Sequence, residues 1–203
     1  MNNVFGVLIL AGGKSQRMNS PKPFLLINGK TFLENIVNGY TNSGFKKITI
    51  VINHSLLSDI PEEITENKSV QIIPNYHPEN GRLYSVQLGL NNDQDFTFIH
   101  NVDNPFVDKN TLKLMRESKH PDEFIVPVYH GNGGHPVLIP KSIANAISCV
   151  KNPSLTLRDV LSSYKKREIN SDSKNILVNI NDWKDYEEHV LNKVPEQNCE
   201  EYI

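Results

Sequence analysis

Residues 11–22 bring two glycines, Gly12 and Gly13, next to three cations, Lys14, Arg17 and Lys22. They follow directly on the apolar run Val4–Leu10, and Lys22 is held between Pro21 and Pro23. Glycines let backbone N–H groups approach an anion with no Cβ in the way. Successive N–H groups in such a turn form an anion-binding concavity. Arg17 offers a planar fork to phosphate oxygens, while Lys14 and Lys22 are movable point charges. The chemistry implied is the holding of phosphates. Ala11-Gly12-Gly13 alone would suit a basic surface loop equally well. The coincidence of strand, glycines, spaced cations and a proline-held lysine favours the phosphate reading. The string is neither a P-loop, which needs Gly-Lys-Ser/Thr after a longer gap, nor Gly-x-Gly-x-x-Gly.

A second constellation closes the run Phe96–His100, where Asp103 is followed by Asn104 and Pro105. Mg²⁺ is usually held by one or two carboxylates together with substrate phosphates, so a single strand-end carboxylate suits it. Taken alone, Asp103 would read as a turn former ahead of Asp108. Three weaker patterns remain. Gly133-Gly134-His135-Pro136 can set a histidine close to a ligand, or can be an ordinary hairpin. Val178–Tyr186 carries Asn179 and Asn181, and an amide oxygen there can coordinate Mg²⁺ or cap a helix. Asn75–Ser85 combines Asn75, Gly81, Arg82 and Ser85 after an apolar run.

Together these strings resemble the nucleotidyltransferase superfamily of the nucleotide-diphospho-sugar transferase type. Leu10-Ala11-Gly12-Gly13-x-Ser-x-Arg17-Met18, then Pro21-Lys22, is similar to its signature. The nearest likeness is to the branch that attaches nucleotides to molybdenum cofactor, the cytidylyl- and guanylyltransferases. Asp103-Asn104-Pro105 matches the Asp-x-Pro of that superfamily. Gly134-His135-Pro136-Val137-Leu138 resembles a segment of the cytidylyl members. Asn179 and Asn181 match the family's two Asx positions, with Asp182-Trp183 in place of Thr-Pro. Asn75, Gly81 and Ser85 match the segment that lines the nucleobase, with Tyr76 and Arg82 in place of Pro and Met.

The resemblance implies an Mg²⁺-dependent transfer of a nucleoside monophosphate from a triphosphate to a phosphate-bearing acceptor, with release of pyrophosphate. Its catalytic residues would be Arg17 and Lys22. Leu10, Ala11, Gly12, Gly13, Lys14, Asn75, Gly81 and Ser85 would bind the nucleotide. Asp103 and Asn181 would hold the metal, with Asn179 in reserve, and His135 and Arg82 would meet the acceptor. Molybdopterin is the acceptor the resemblance implies, and a cytidylyl donor is expected first. Guanylyl transfer and a sugar- or polyol-phosphate acceptor are the alternatives. A nucleotide-binding module without turnover is the reading from outside the enzymes. A molybdoenzyme or a chaperone is the implied protein partner.

These residues need a scaffold that gathers them. The apolar runs Val4–Leu10, Lys47–Ile52, Val70–Pro74, Phe96–His100 and Phe124–Tyr129 lack alternation, as strands buried on both faces do. Helices are expected over Thr31–Ser43, Leu83–Leu90, Asp108–Ser118 and Asp182–Leu191. Thr31 with Glu34, and Asp108, are the caps. The alternation predicts a single-domain, three-layer α/β/α sandwich around a mostly parallel, Rossmann-like sheet. In such sheets ligands bind beyond the carboxyl ends of the strands, where most of the polar strings above would lie. The domain is expected to span 1–194, with a polar tail over 195–203. A net charge of −2 argues against a polyanion partner, so no nucleic acid is expected. The first apolar run is too short to span a membrane, and without a visible signal segment a cytoplasmic place is expected. Cys149 is expected to be buried. His54 and His100 are read as incidental, and Trp183 and Tyr186 as helix packing.

Overall fold

The computed structural model describes residues 3–13, 18 and 20–191. β1 (Phe5–Ala11) leads through a small hairpin, β2 (Leu26–Ile27) and β3 (Lys30–Thr31), into α1 (Phe32–Asn42). β4 (Ile48–Asn53), α2 (Glu62–Thr65), β5 (Val70–Asn75) and α3 (Gly81–Gly89) follow. Next come β6 (Phe96–Asn101), α4 (Lys109–Glu117), β7 (Glu123–Tyr129), β8 (Asn132–Gly133) and β9 (Val137–Pro140). The described chain closes with α5 (Lys141–Ser148), α6 (Leu157–Leu161), β10 (Lys165–Asn170) and α7 (Trp183–His189).

The main sheet runs β10-β7-β9-β6-β1-β4-β5, with β8 paired to β7. β1 is parallel to both β4 and β6, β5 to β4, and β10 to β7. Only the intercalated β9 and the short β8 run antiparallel. The apolar runs are explained by the two cores. Val7, Ile9 and Ala11 of β1 pack with α1 and α4 on one side. Leu8 and Leu10 pack with α3, α5 and α6 on the other. A strand covered on both faces has no polar position to alternate with.

Local chemistry fixes the helix starts as expected. Thr31 and Glu34 form a reciprocal capping box, and Asp108 accepts from the Thr111 N–H at 2.7 Å. One expectation fails, and one strand was not anticipated. Cys149 is exposed: it caps the end of α5, its N–H closing on the carbonyls of Asn145 and Ala146, beyond the buried stripe Ile143, Ala144 and Ile147. And β10 was unexpected because Lys165-Lys166-Arg167-Glu168 has no apolar pattern. It is an edge strand whose Lys165 and Arg167 reach the buried Glu123 carboxylate at 2.8 and 2.6 Å. The segment 195–203 and Cys199 lie outside the described residues.

The chain leaves β1 for β4 and β5 on one flank, then returns to β6 on the other. Strand order reverses between β1 and β6, which opens a crevice at their carboxyl ends.

Candidate active site

A cleft of about 240 Å³ occupies that crevice. The exit of β1 supplies Leu10, Ala11, Gly12 and Gly13, and the exit of β6 supplies Asn101, Val102 and Asp103. Lys22 and Pro23 enter from the following loop, and Pro78, Gly81, Arg82 and Ser85 from the start of α3.

Gly12 is there for lack of space. A Cβ on it would stand 3.1 Å from Asn75 Nδ2 and 3.2 Å from Ser85 Oγ. Those two groups bond each other at 3.1 Å, and Asn75 Oδ1 accepts from the His77 N–H at 2.8 Å. The turn after β1 is thus seated directly on the tie between β5 and α3. Gly81 opens α3 with φ +82°, and Asn80 gives it no side-chain cap. The Gly81 N–H closes on the Pro78 carbonyl, while the N–H groups just after it, with no side-chain cap, keep their capacity for an anion at the positive end of the helix dipole.

Across the cleft, Asp103 is fixed by its backbone: its carbonyl accepts from Ile180 N at 2.7 Å. Its Oδ1 is buried without a hydrogen-bond partner, and so is Oδ1 of Asn179, one residue before Ile180. Asn181 differs. Its Oδ1 faces Lys22 Nζ at 3.5 Å, and its N–H is taken by Asp185 at 2.8 Å. A buried oxygen without a donor costs free energy unless something cationic meets it. The orphaned pair fits a hard divalent cation, which prefers oxygen ligands. Among the described residues no group of three or more His, Cys, Asp and Glu gathers as a metal cage. A Mg²⁺ bound largely through substrate phosphates needs none.

His135 stands at the rim. Its ring lies 3.2 Å from the Asn101 amide nitrogen, and its backbone N–H donates to the Ile176 carbonyl at 2.8 Å. Burial lowers its pKa from the usual 6.5, Asp103 partly restores it, and Arg82 lowers it again. A lowered pKa favours the neutral form of this half-buried imidazole at pH 7.

Of the residues singled out in the sequence, nine line the cleft: Leu10, Ala11, Gly12, Gly13, Lys22, Gly81, Arg82, Ser85 and Asp103. Asn181 joins them through Lys22, and His135 through Asn101. Asn75 does not: it is fully buried behind Gly12, with its amide spent on Ser85 and His77. Lys14 and Arg17 lie outside the described residues. Trp183 is 46% exposed, and its indole N–H donates to the Met18 carbonyl at 3.1 Å, so it does more than pack a helix. His100 is not incidental either, being fully buried just beneath Asp103. Asn104 was read only as the middle of a motif. Its Nδ2 donates to the carbonyls of Asn175 and Ile176 at 3.1 and 3.2 Å. A polar residue between an aspartate and a proline was the available signal.

The sequence profile of the MobA-like NTP transferase domain matches residues 7–168. The chain belongs to the MobA-like NTP transferase family. The family stretch runs from β1 into β10 and so contains both strand exits that form the cleft. One relative, described as a probable molybdenum cofactor guanylyltransferase of Clostridium perfringens, is 30% identical over 123 residues. That match covers 60% of this chain and 58% of the relative, so the chain matches well under two thirds of the relative's length. Among solved structures, a nucleotidyl transferase from Methanothermobacter has the same fold, with a TM-score of 0.76 at 17% identity, covering 94% of this chain and 98% of that one. A Mycobacterium tuberculosis protein solved as a complex with manganese gives a TM-score of 0.72 at 16% identity, covering 93% of this chain and 98% of that one. The MobA-like family thus accounts for the mostly parallel sheet.

Proposed function

We propose that this chain transfers a nucleoside monophosphate from a nucleoside triphosphate to a phosphate-bearing acceptor, releasing pyrophosphate. The observation that carries the reading is the convergence of Gly12, Gly13, Lys22 and Asp103 on one cleft at the strand-order reversal. An acceptor phosphate oxygen attacks the α-phosphorus, the bond to the bridging oxygen breaks, and pyrophosphate leaves on the opposite side. A phosphate monoester acceptor is largely ionised near neutrality, with a second pKa of about 6. No general base is required of the protein, and the neutral His135 is given none to supply.

The work left to the chain is positioning and charge neutralisation. The N–H groups of Gly12 and Gly13 cradle phosphate oxygens, together with the start of α3. Lys22 neutralises the α-phosphate as charge develops. Arg17, with Lys14, is assigned to the leaving pyrophosphate on the strength of the motif. Asp103 and the amide oxygen of Asn179 or Asn181 would hold Mg²⁺. When bound, that ion would supply charge stabilisation across the triphosphate. The unpartnered oxygen of Asn179 favours it over Asn181, whose oxygen already meets Lys22. His135 and Arg82 border the side left for the acceptor.

The sequence leaned toward a cytidylyl donor through Gly134-His135-Pro136-Val137-Leu138. The names of the relatives favour guanylyl transfer to molybdenum cofactor. Pyrophosphate release should be measured with GTP, CTP, UTP or ATP, Mg²⁺ and molybdopterin. Release that needs both GTP and molybdopterin is expected. Release with CTP alone among the four would restore the cytidylyl donor. No release with any donor, despite tight nucleotide binding, would leave a binding module.

A further inference from the structure

Asp103 is carried on a turn that has little regular structure of its own. What holds that turn lies beneath it. His100, the fifth residue of β6, is fully buried between the sheet and α1. Its Nε2 stands 2.6 Å from the carbonyl of Asn104, and its Nδ1 stands 2.9 Å from the hydroxyl of Tyr40. A carbonyl can only accept, so Nε2 carries the hydrogen and Nδ1 accepts from Tyr40. The tautomer and the direction of both bonds are therefore fixed. Tyr40 is itself fully buried, with its ring edge-on to that of His100.

From Asn104 the connection continues in two directions. Its side chain takes the carbonyls of Asn175 and Ile176, and its Oδ1 accepts from the Phe106 N–H at 3.3 Å. Asp103, next in the chain, accepts from Ile180 N. The residues held on either side are those with the two unpartnered oxygens, Asp103 and Asn179.

We infer that Tyr40, His100 and Asn104 form a buried relay of hydrogen bonds that holds the Asp103 turn, and the Asn179 segment beside it, in place for a divalent cation. His100 and Tyr40 are positioning residues: neither lines the cleft. The inference rests on the metal role proposed above for Asp103. A packing role alone would ask only for shape, whereas His100 spends both ring nitrogens in fixed directions, one of them on the turn that bears the carboxylate. Burial holds its pKa down to about 4, so the imidazole stays neutral and this pattern persists at physiological pH.

The test titrates Mn²⁺ into the full chain and follows free Mn²⁺ by electron paramagnetic resonance, with thermal melts in parallel. Tyr40→Phe removes one oxygen and keeps the ring. Its Mn²⁺ dissociation constant should rise about fivefold, the effect of one net hydrogen bond. His100→Leu should raise it about tenfold or more, since two bonds go. His100→Gln keeps an N–H able to reach the Asn104 carbonyl and should recover most of the affinity. Variants that melt lower but bind Mn²⁺ as the wild type does would overturn the inference and leave these residues a packing role. Should His100→Leu fail to fold, Tyr40→Phe decides alone. A wild-type chain that binds no Mn²⁺ would instead refute the metal role of Asp103 from which the inference starts.

Discussion

Gly134→Ala should destabilise the fold more than its size suggests. Gly134 lies where the β7–β9 hairpin crosses the segment after β10, and its N–H donates to the Pro127 carbonyl at 2.8 Å. A Cβ added there would press into the backbone carbonyl of Ile176. Backbone cannot swing aside as the tip of a side chain does, so the 175–176 segment must move. Three hydrogen bonds depend on it: His135 N to the Ile176 carbonyl at 2.8 Å, and Asn104 Nδ2 to the carbonyls of Asn175 and Ile176. At about 1 kcal/mol each the loss is about 3 kcal/mol. For a domain of this size that is a fall in melting temperature of about 6–12 °C. Gly133→Ala is the control, because its Cβ would meet only the Val126 Cγ1 at 3.2 Å. A side-chain methyl can yield, and the cost should stay within about 1 kcal/mol. Thermal melts of the two variants and the wild type make the comparison. A Gly134→Ala chain that melts within about 2 °C of the wild type would show that the hairpin is not pinned as described.

Three further outcomes follow from the site and the charges. Lys22→Ala and Asp103→Ala should each slow pyrophosphate release about a hundredfold or more, the effect of losing one preorganised charge contact; either variant at near-normal turnover would remove its assigned role. Because the His100 pKa is lowered from 6.5 to about 4, the unfolded chain binds the extra proton first. Stability should therefore fall as pH drops from 6.5 to about 4, by up to about 1.4 kcal/mol per unit, and urea melts of His100→Gln should lose that slope. Glu123 is depressed from 4.5 to about 2, by Arg167 first and Lys165 second. Its contribution is complete above pH 4.5 and lost toward pH 2, so Glu123→Gln should melt lower at pH 7 and lose less of its stability over that acid range.

Much of the molecule was legible in the residues. The unbroken apolar runs marked the central strands because those strands are covered on both faces. Gly12, Lys22 and Asp103 were found because phosphate and metal chemistry needs their types at strand exits. What escaped has physical reasons. β10 is an edge strand stabilised by charge pairing with Glu123, and period-2 hydrophobicity does not record that. Asn75 has the residue type of a ligand, but its amide is consumed inside the fold. His100 looked incidental because nothing in its neighbours announces Tyr40, sixty positions away in the chain. The sequence puts Asn181 ahead of Asn179, because it does not record which oxygen already has a partner.

The direction of β9 has a consequence for how such a site can diversify. A parallel strand reaches this edge of the sheet by its end, and adding another requires a whole crossover. β9 runs the other way, pairing Ile99 with Val137 and Phe96 with Pro140, so it reaches the same edge by its beginning. The short hairpin before it, with His130 and Gly131 at its tip, can change length or composition while the registers of β1, β4 and β6 stay as they are. Changes at residues 130–132 therefore leave the glycine turn and Asp103 in place, whereas Gly134 and His135 are held by the carbonyls of Pro127 and Ile176.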